Sequence, residues 1–454
     1  MTSKVWHAAS ALLLLLPLAA SSRASDGRID QLLAVHHDTA GIEPTPICDD
    51  ATFLRRLSLD LVGRVPTTKE LQEFLLDPDR RAAIDRRLSS DEHVRYWSQL
   101  WTTLLVGRPQ QRGVEPEVLR RWVEQRLASE VATSQMVFEL ISAQGVTSLS
   151  GPVNYVVANR ADPVMSLSRT FLSVQLDCAE CHDHPHDRWT NDDYLAMKRF
   201  FQPTRFREVS GGVAVTDAGG DLSRERPVFL TGQKPHTNAW RRELALMLVQ
   251  SKPFSRAMVN RTWHWLMGRG LIDPVDGLSR DNPAATPGLL DELAMDFRES
   301  DFQTRPLIRR ICNSKAYQRA SLSDQHSDSE ARLQLFSARN VRPMLPEQWL
   351  ASVAQVLDRL IPEPQALRQQ SGQLLGLSRQ ADPARDPFDW QATSQTLIRQ
   401  LSGETPAPLR DLDAIFLSTL ARRPTDQERH LVRKHNSKST LYALVHSNEF
   451  LMND

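Results

Sequence analysis

The sequence is poor in cysteine, with four among 454 residues. So few cysteines in so long a chain exclude the disulfide-rich class of small secreted proteins. Neither sign of charge is in excess, because Lys+Arg and Asp+Glu both number 55. A balanced chain lacks the positive field that attracts nucleic acid. We therefore expect no nucleic-acid partner.

Familiar catalytic signatures are also missing from the sequence. It contains no GxSxG elbow, no HExxH motif, no P-loop and no GxGxxG fingerprint. Asp60, Asp273 and Asp276 lie near glycines and are candidate catalytic carboxylates, although a solvated or capping acid is the favoured interpretation of each. The sequence leaves open whether the protein is an enzyme.

A long apolar run occurs only within the first 24 residues. Lys4 precedes the stretch "ALLLLLPLAA" and the small residues of "SSRAS" follow it, which is the pattern of a signal peptide, residues 1–24, cleaved after Ala24. The run is too short to span a bilayer. An uncleaved anchor is the alternative. We expect a periplasmic or secreted protein with no transmembrane span in the mature chain.

Helical periodicity dominates the remaining sequence and predicts a mainly α fold. In "FLRRLSLDLV" (53–62) the apolar residues recur at helical spacing, and Thr67 with Glu70 forms a capping-box pattern. Thr190 is the predicted N-cap of a further helix. "GRVPTTKEL" (63–71) is echoed in "ARRPTDQER" (421–429), which we interpret as two similar helix caps and not as a repeat array.

Residues 206–235 interrupt the helical pattern. They are rich in Gly and Pro with short alternating apolar stretches, which is typical of a linker with one or two short strands. We therefore expect two helical domains, residues 25–205 and 236–454, on either side of this linker. Residues 362–408 are polar or rich in Pro and Gln, which favours loops.

The stretch "LDCAECHDHPHDRW" (176–189) is the candidate site. Cys178, Cys181 and His182 match the CxxCH signature of c-type haem attachment. On a helix over 167–182 they fall at i, i+3 and i+4, so that two thiols reach the porphyrin edge while the imidazole faces the iron. We predict haem c as the cofactor, with His182 as an iron ligand whose ring is fixed by a further hydrogen-bond acceptor.

A sixth iron ligand has to come from a distant part of the chain. His184 is too close to His182 to reach the opposite face of the haem, and His186 would do so only with strain. The candidates, each more typical of a buried core residue, are Met165, Met197, Met258, Met267 and His264. A vacant sixth position is the alternative, and it favours small-ligand chemistry.

Two other chemistries fit the same stretch. Cys178, Cys181, His182, His184 and His186 offer more thiolate and imidazole ligands than one zinc or copper ion needs. No second Cys/His cluster accompanies them, which argues against a structural zinc site. A Cys178–Cys181 disulfide is the third interpretation, and Cys48 can also pair with Cys312 outside the cytoplasm.

Longer segments resemble a known pair of domains. "FLRRLSLDLVGRVPTTKELQEFL" and "LDCAECHDHPHDRWTNDDYLAMKRFF" resemble the planctomycete cytochrome-like domain of unknown function, the second of that group's cytochrome domains. "RAMVNRTWHWLMGRGLIDPVDGL" and "TLYALVHSNEFLMN" resemble the C-terminal partner domain of unknown function that usually follows it. The resemblance implies an exported, mainly helical protein of two domains without an established reaction. Members often have Phe at the position of His186, and this difference favours the metal-ion alternative.

These observations predict an exported c-type haem protein of the cell envelope. Its expected role is electron transfer with an unknown redox partner, or redox chemistry on a small ligand. One alternative is an envelope enzyme or assembly factor with a Cys/His-bound transition metal that acts on an extracellular polymer. The other is a structural envelope protein with a CxxC disulfide.

Overall fold

The computed structural model describes residues 27–108, 110–223, 225–322, 329–374, 412–432 and 437–453. The expected signal peptide lies outside these residues. The predicted mainly α fold is confirmed, since helices follow one another along the described chain and the strands are few and short. Among the described residues, no helix combines the length and apolar composition that a membrane span requires.

Ten α-helices precede the Gly/Pro-rich region in the described chain. They are Arg28–Ala40 (α1), Asp50–Val62 (α2), Thr68–Leu76 (α3), Arg80–Leu88 (α4), Asp91–Val106 (α5), Pro116–Ala128 (α6), Thr133–Ser142 (α7), Val153–Ala158 (α8), Pro163–Phe171 (α9) and Asn191–Lys198 (α10). Short 3-10 turns cover Cys178–Glu180 and Arg199–Phe201.

Twelve more helices follow in the described part of the chain. They are Trp240–Gln250 (α11), Lys252–Met267 (α12), Pro287–Glu299 (α13), Thr304–Asn313 (α14), Lys315–Gln318 (α15), Ser329–Gln334 (α16), Pro346–Val356 (α17), Pro364–Leu374 (α18), Leu412–Leu420 (α19), Asp426–Val432 (α20), Ser437–Val445 (α21) and Asn448–Leu451 (α22). The loop predicted from residue 362 onwards is therefore wrong over α18.

The strands expected near the linker are confirmed. Thr204–Val209 (β2) and Gly212–Asp217 (β3) form an antiparallel hairpin, and Gly145–Val146 (β1) pairs antiparallel with β3. Gly211, at the tip of the hairpin, has a φ of 93° that favours glycine. A second small sheet pairs Arg342–Pro343 (β4) with Met452–Asn453 (β5).

One hydrophobic core draws on residues from both sides of the linker, from Ile29 to Ala421. Helix α5 packs against α6, α7 against α11, and α12 against α13. A second cluster joins Leu59 and Val65 to residues of α17 and of the C-terminal helices. The C-terminal segment therefore folds back onto helix α2.

Helix α2 lies at the centre of these contacts, and its residues from Phe53 to Val62 are all buried. Its charged side chains bind backbone groups from distant segments. Arg55 donates to the carbonyl oxygen of Phe450 at 2.8 Å, and Arg56 donates to that of Tyr317 at 2.5 Å. Buried polar groups need such partners, so these arginines fix the positions of both segments.

At each of the two similar sequences, 63–71 and 421–429, an arginine binds the glutamate of the helix cap and a second glutamate. We call this arrangement an arginine clamp. After α2, Thr67 and Glu70 form the expected capping box, and the Arg64 guanidinium donates to Glu70 and to Glu92, with the shortest contact to each at 2.9 Å. Glu92 lies in the first turn of α5. Arg64 thus joins α3 to α5.

The second of these sequences, residues 421–429 after α19, forms the same kind of cap. Thr425 and Glu428 exchange the same backbone–side-chain hydrogen bonds. The guanidinium of Arg422 donates to Glu428 at 2.7 Å and to Glu449 at 2.6 Å. Glu449 lies in the first turn of α22. The echo in the sequence therefore marks two similar caps, as expected, and also a matching arginine clamp.

Candidate functional site

The helix that we predicted over 167–182 is wrong, because α9 ends at Phe171. Ser173 has a φ of 57°, in the left-handed region that residues inside a right-handed helix do not adopt. Its carbonyl oxygen accepts a 2.7 Å hydrogen bond from the backbone N–H of Leu278. The chain therefore leaves the helix at Ser173 and is bonded there to Leu278, in the second half of the sequence.

The CxxCH motif forms a helical turn of its own. Cys178–Glu180 is a 3-10 turn, and the carbonyl oxygen of Cys178 accepts hydrogen bonds from the N–H groups of Cys181 at 3.4 Å and of His182 at 3.3 Å. The three residues therefore share one turn at i, i+3 and i+4, as their spacing predicts. Both thiols are free and exposed, and His182 is exposed as well.

The start of helix α10 holds this turn in place. The Asn191 side-chain amide donates to the carbonyl oxygens of Ala179 at 2.9 Å and Glu180 at 2.7 Å. Its backbone N–H donates to the carboxylate of Asp183 at 3.0 Å. Thr190 caps α10 in a capping box, which confirms the predicted N-cap. The helix cap and the CxxCH turn therefore form one hydrogen-bonded unit.

The segment before the turn is bound to the second half of the chain. Arg169 pairs with Asp177 and, at 3.5 Å, with Asp276. The Gln175 side-chain amide also donates to Asp276, at 3.2 Å. Asp276, one of the candidate carboxylates, therefore connects the loop after α12 to residues 169–177.

The His182 ring is oriented by a backbone carbonyl. Its Nδ1 lies 2.8 Å from the carbonyl oxygen of Asp183. Because a carbonyl oxygen only accepts, the neutral ring carries its proton on Nδ1 and keeps the lone pair on Nε2. This is the tautomer that binds a metal through Nε2. The sequence predicted a hydrogen-bond acceptor for this ring without identifying it, and the structure supplies the backbone carbonyl of Asp183.

His184 and His186 form hydrogen bonds within the loop that follows the motif, and not with His182. The backbone N–H of His184 donates to the carbonyl oxygen of Trp189 at 2.8 Å, and its Nδ1 accepts a 3.2 Å hydrogen bond from the N–H of His186. These bonds close the loop that follows the motif. In the part of the chain that the structure describes, no three His, Cys, Asp or Glu side chains form a group able to hold a metal ion.

The candidate sixth ligands all lie in helices. Met197, Met258 and Met267 are at most 3% exposed and belong to the main hydrophobic core. Met165 is half-buried in the first turn of α9. His264 in α12 is also half-buried; burial lowers the pKa of its imidazole, and its Nδ1 has no hydrogen-bond partner among the described residues.

The other two cysteines are neighbours but do not form a disulfide. Cys48 donates its backbone N–H to the carbonyl oxygen of Gln318 at 2.9 Å, and the Gln318 side chain donates to the carbonyl oxygen of Cys312 at 3.1 Å. Cys312 is a free, fully buried thiol, and burial raises its pKa well above the ordinary value. An unreactive core thiol is the result.

Asp60 lies in a quite different environment from the solvated or capping acid that we expected. Its side chain is 0% exposed. It accepts hydrogen bonds from Tyr317 at 2.9 Å and Arg339 at 3.2 Å, and from Arg342 and Asn453 at 2.6 Å each. Four donors saturate a carboxylate, so Asp60 joins α2 to the C-terminal region and is closed to a substrate. The sequence signal was an acid between Leu59 and Leu61 in a helical stretch.

Asp273, the remaining candidate carboxylate, is exposed. Its nearest ion-pair partner is Arg269 at 3.7 Å. The three aspartates therefore do not form one site, and the chemistry-bearing residues of the described chain are those of the CxxCH turn.

The fold and the site define a mainly helical chain with an exposed CxxCH turn. Two family models match it, each over a separate part. Residues 28–206, which include the CxxCH turn, match PSCyt2, described as a protein of unknown function (DUF1549). Residues 240–385 match PSD1, also described as a protein of unknown function (DUF1553). The two matches follow one another along the chain, which is consistent with two domains of unknown function. Comparison with curated proteins and with solved structures gave no match.

Proposed function

We propose that the turn from Cys178 to His182 attaches haem c covalently, and that the protein is an exported redox protein of the cell envelope. The observation that carries this proposal is the combination of two free, exposed thiols and an imidazole on one helical turn. Both thiols are open to solvent and could react with a haem, and the His182 tautomer leaves the lone pair of Nε2, which would bind the iron. The match to a model named PSCyt2 is in keeping with it.

The residues present fit this group in their donor set. Cys178 and Cys181 would form the two thioether bonds, and His182 would supply one axial ligand. When bound, haem supplies one-electron redox chemistry. The chain itself holds the turn through Asn191 and orients the imidazole through the carbonyl of Asp183. The role in electron transfer or small-ligand chemistry, and the redox partner, are part of the same proposal.

The bare-metal alternative has less support. His184 and His186 are engaged in the loop that closes on Trp189, and no metal-binding group forms in the described residues. A zinc or copper ion would require that loop to rearrange around the two thiolates.

The test is the covalent haem content of protein that is produced with a haem-maturation system. We expect a Soret band that persists on a haem-stained denaturing gel. Cys178→Ser with Cys181→Ser should abolish it, and Cys48→Ser, which leaves the motif intact, should not. Colourless wild-type protein with one equivalent of zinc or copper would support the metal-ion alternative instead. Colourless, metal-free protein would support a structural CxxC disulfide.

A further inference from the structure

A cavity of about 270 Å³ lies beside the loop that follows the CxxCH turn. Leu172, Val174, Phe229 and Leu278 form part of its wall. The cavity is near the small end of the range for ligand pockets, which suits a small molecule with an apolar body.

The wall of the cavity also carries three arginines from three segments: Arg188, Arg256 and Arg280. Arg256 pairs with Asp291 at 3.1 Å, and Lys252 shares that carboxylate at 3.6 Å. Arg188 and Arg280 are exposed, and neither has a carboxylate partner among the described residues.

Asp187 contributes the one negative charge of this wall. Its carboxylate accepts a 2.7 Å hydrogen bond from the backbone N–H of Arg188, and no described arginine or lysine pairs with it. Two unpaired guanidinium groups and one carboxylate leave the cavity with a net positive charge. Such a balance favours an anionic ligand.

Trp189 forms a further part of the cavity wall, beside Arg188. Its side chain lines the cavity and is 7% exposed. The indole N–H is buried and has no hydrogen-bond partner among the described residues. Because this N–H is closed to solvent, the ring contributes apolar surface to the wall. The guanidinium of Arg188 lies 4.3 Å from the centre of the Trp189 ring, which places a charge at this wall.

The walls of the cavity come from separate parts of the chain and are held together by defined contacts. The Ser173 carbonyl binds the N–H of Leu278, and the Trp189 carbonyl binds the N–H of His184. Residues 172–189 belong to the first family match and residues 253–280 to the second. The cavity is therefore built from both matched regions and from Phe229, Leu230 and Thr231 between them.

We propose that this cavity binds a small organic monocarboxylate with a flat apolar body. The carboxylate pairs with Arg188 and Arg280, since guanidinium groups bind carboxylates by paired hydrogen bonds. The apolar body lies against Leu172, Phe229 and their neighbours.

The test uses benzoate and its neutral isostere benzamide in isothermal titration calorimetry. We expect saturable binding of benzoate. Benzamide should bind at least about tenfold more weakly, because the charge-assisted hydrogen bonds are lost. Arg188→Gln and Arg280→Gln should each weaken benzoate binding about fivefold or more. Both side chains are exposed, so neither substitution is expected to disturb folding.

Arg207→Gln is the matched control, because Arg207 is an exposed arginine on β2, outside the cavity. It should leave benzoate binding unchanged. The proposal is overturned if benzoate does not bind, if benzamide or inorganic phosphate binds as tightly as benzoate, or if Arg207→Gln weakens benzoate binding as much as the cavity variants do. The Cys178→Ser, Cys181→Ser protein should still bind benzoate, so this proposal and the proposed haem attachment can fail separately.

Discussion

Arg64 and Arg422 make the same contacts at two places far apart in the chain. Each guanidinium binds the glutamate of the capping box that follows it and a second glutamate in the first turn of a later helix. Each follows a residue in the left-handed conformation, Gly63 at φ 76° and Ala421 at φ 58°. The two clamps hold equivalent helix–turn–helix corners, one near each end of the described chain.

The two clamps should differ in their contribution to stability. The Arg64 side chain is 7% exposed and that of Arg422 is 35% exposed. Lysine keeps the charge but cannot form the two forked contacts. We expect Arg64→Lys to lower the free energy of unfolding by about 2–3 kcal/mol, and Arg422→Lys by about 1 kcal/mol or less.

Urea denaturation of the two variants beside the wild type measures this difference. Equal losses would contradict the argument from burial. A fluorescence readout is suitable, because Trp97, near the Arg64 clamp, and Trp349, near the C-terminal helices, are both buried.

Removing the charge of Asp60 should destabilise the protein strongly. Asp60→Asn keeps the shape of the side chain but leaves Arg339, which is 0% exposed, without its counter-charge. We expect a loss of about 3–5 kcal/mol in the free energy of unfolding. Arg339→Met added to Asp60→Asn should recover part of this loss, since the more deeply buried of the two arginine charges that face Asp60 is then gone.

Thermal unfolding of these variants provides the measurement. Asp38→Asn, which changes an exposed aspartate, is the control and should change stability by about 0.5 kcal/mol or less. A value for Asp60→Asn as small as that of the control would show that the buried cluster does not act as we describe.

Stability should fall between pH 6.5 and pH 4 because of His93. Burial lowers the pKa of His93 from 6.5 to about 4, although the carbonyl oxygen of Leu61 at 2.9 Å opposes the shift. The folded state therefore binds this proton less tightly than the unfolded chain. The stabilisation is complete above pH 6.5 and is lost as the pH falls towards 4. Between pH 7.5 and 4.5 the loss is about 2–3 kcal/mol.

Comparison with His93→Gln isolates this contribution. Glutamine can still donate to Leu61 but does not titrate, so the variant should lose less free energy of unfolding over the same pH range. His430→Gln changes an exposed histidine and should follow the wild type. Parallel pH curves for wild type and His93→Gln would refute the assignment.

Asn191 should control the order of the CxxCH turn. Its side-chain amide makes two hydrogen bonds to the turn, and Asn191→Ala removes both. We expect the amides of residues 178–182 to exchange about tenfold faster, in line with the loss of one to two hydrogen bonds. Hydrogen–deuterium exchange measures this in protein without cofactor.

Asp192→Ala is the neighbouring control, since Asp192 is exposed and lies in the same helix turn. It should leave exchange at the motif unchanged. If Asn191→Ala also leaves exchange unchanged, the turn is held by its own backbone bonds and not by helix α10.

Local patterns predicted the features that depend on neighbours in the sequence. The capping box at Thr67, the N-cap at Thr190, the short strands near the Gly/Pro-rich region and the shared turn of Cys178, Cys181 and His182 all follow from spacings of a few residues. Such spacings report hydrogen bonds within one turn, so the sequence contains the whole interaction.

The sequence predictions were wrong where contacts with distant residues determine the structure. Helix α9 ends early and Ser173 turns away, bonded to Leu278 across more than 100 positions of the chain. The sequence favoured a solvated or capping role for Asp60, whereas in the structure Arg339 and Asn453 donate hydrogen bonds to its buried carboxylate. Residues of α18 were expected in a loop because their composition is polar, and their helix packs against α17.

The sequence by itself determined that this is a mainly helical protein and that two thiols and an imidazole share one turn, because both depend on periodicities of three to four residues. Only the tertiary structure decided which charges are buried, where the arginine-lined cavity lies and which carbonyl orients His182. Burial and the meeting of distant segments arise from packing of the whole chain, which no local pattern contains.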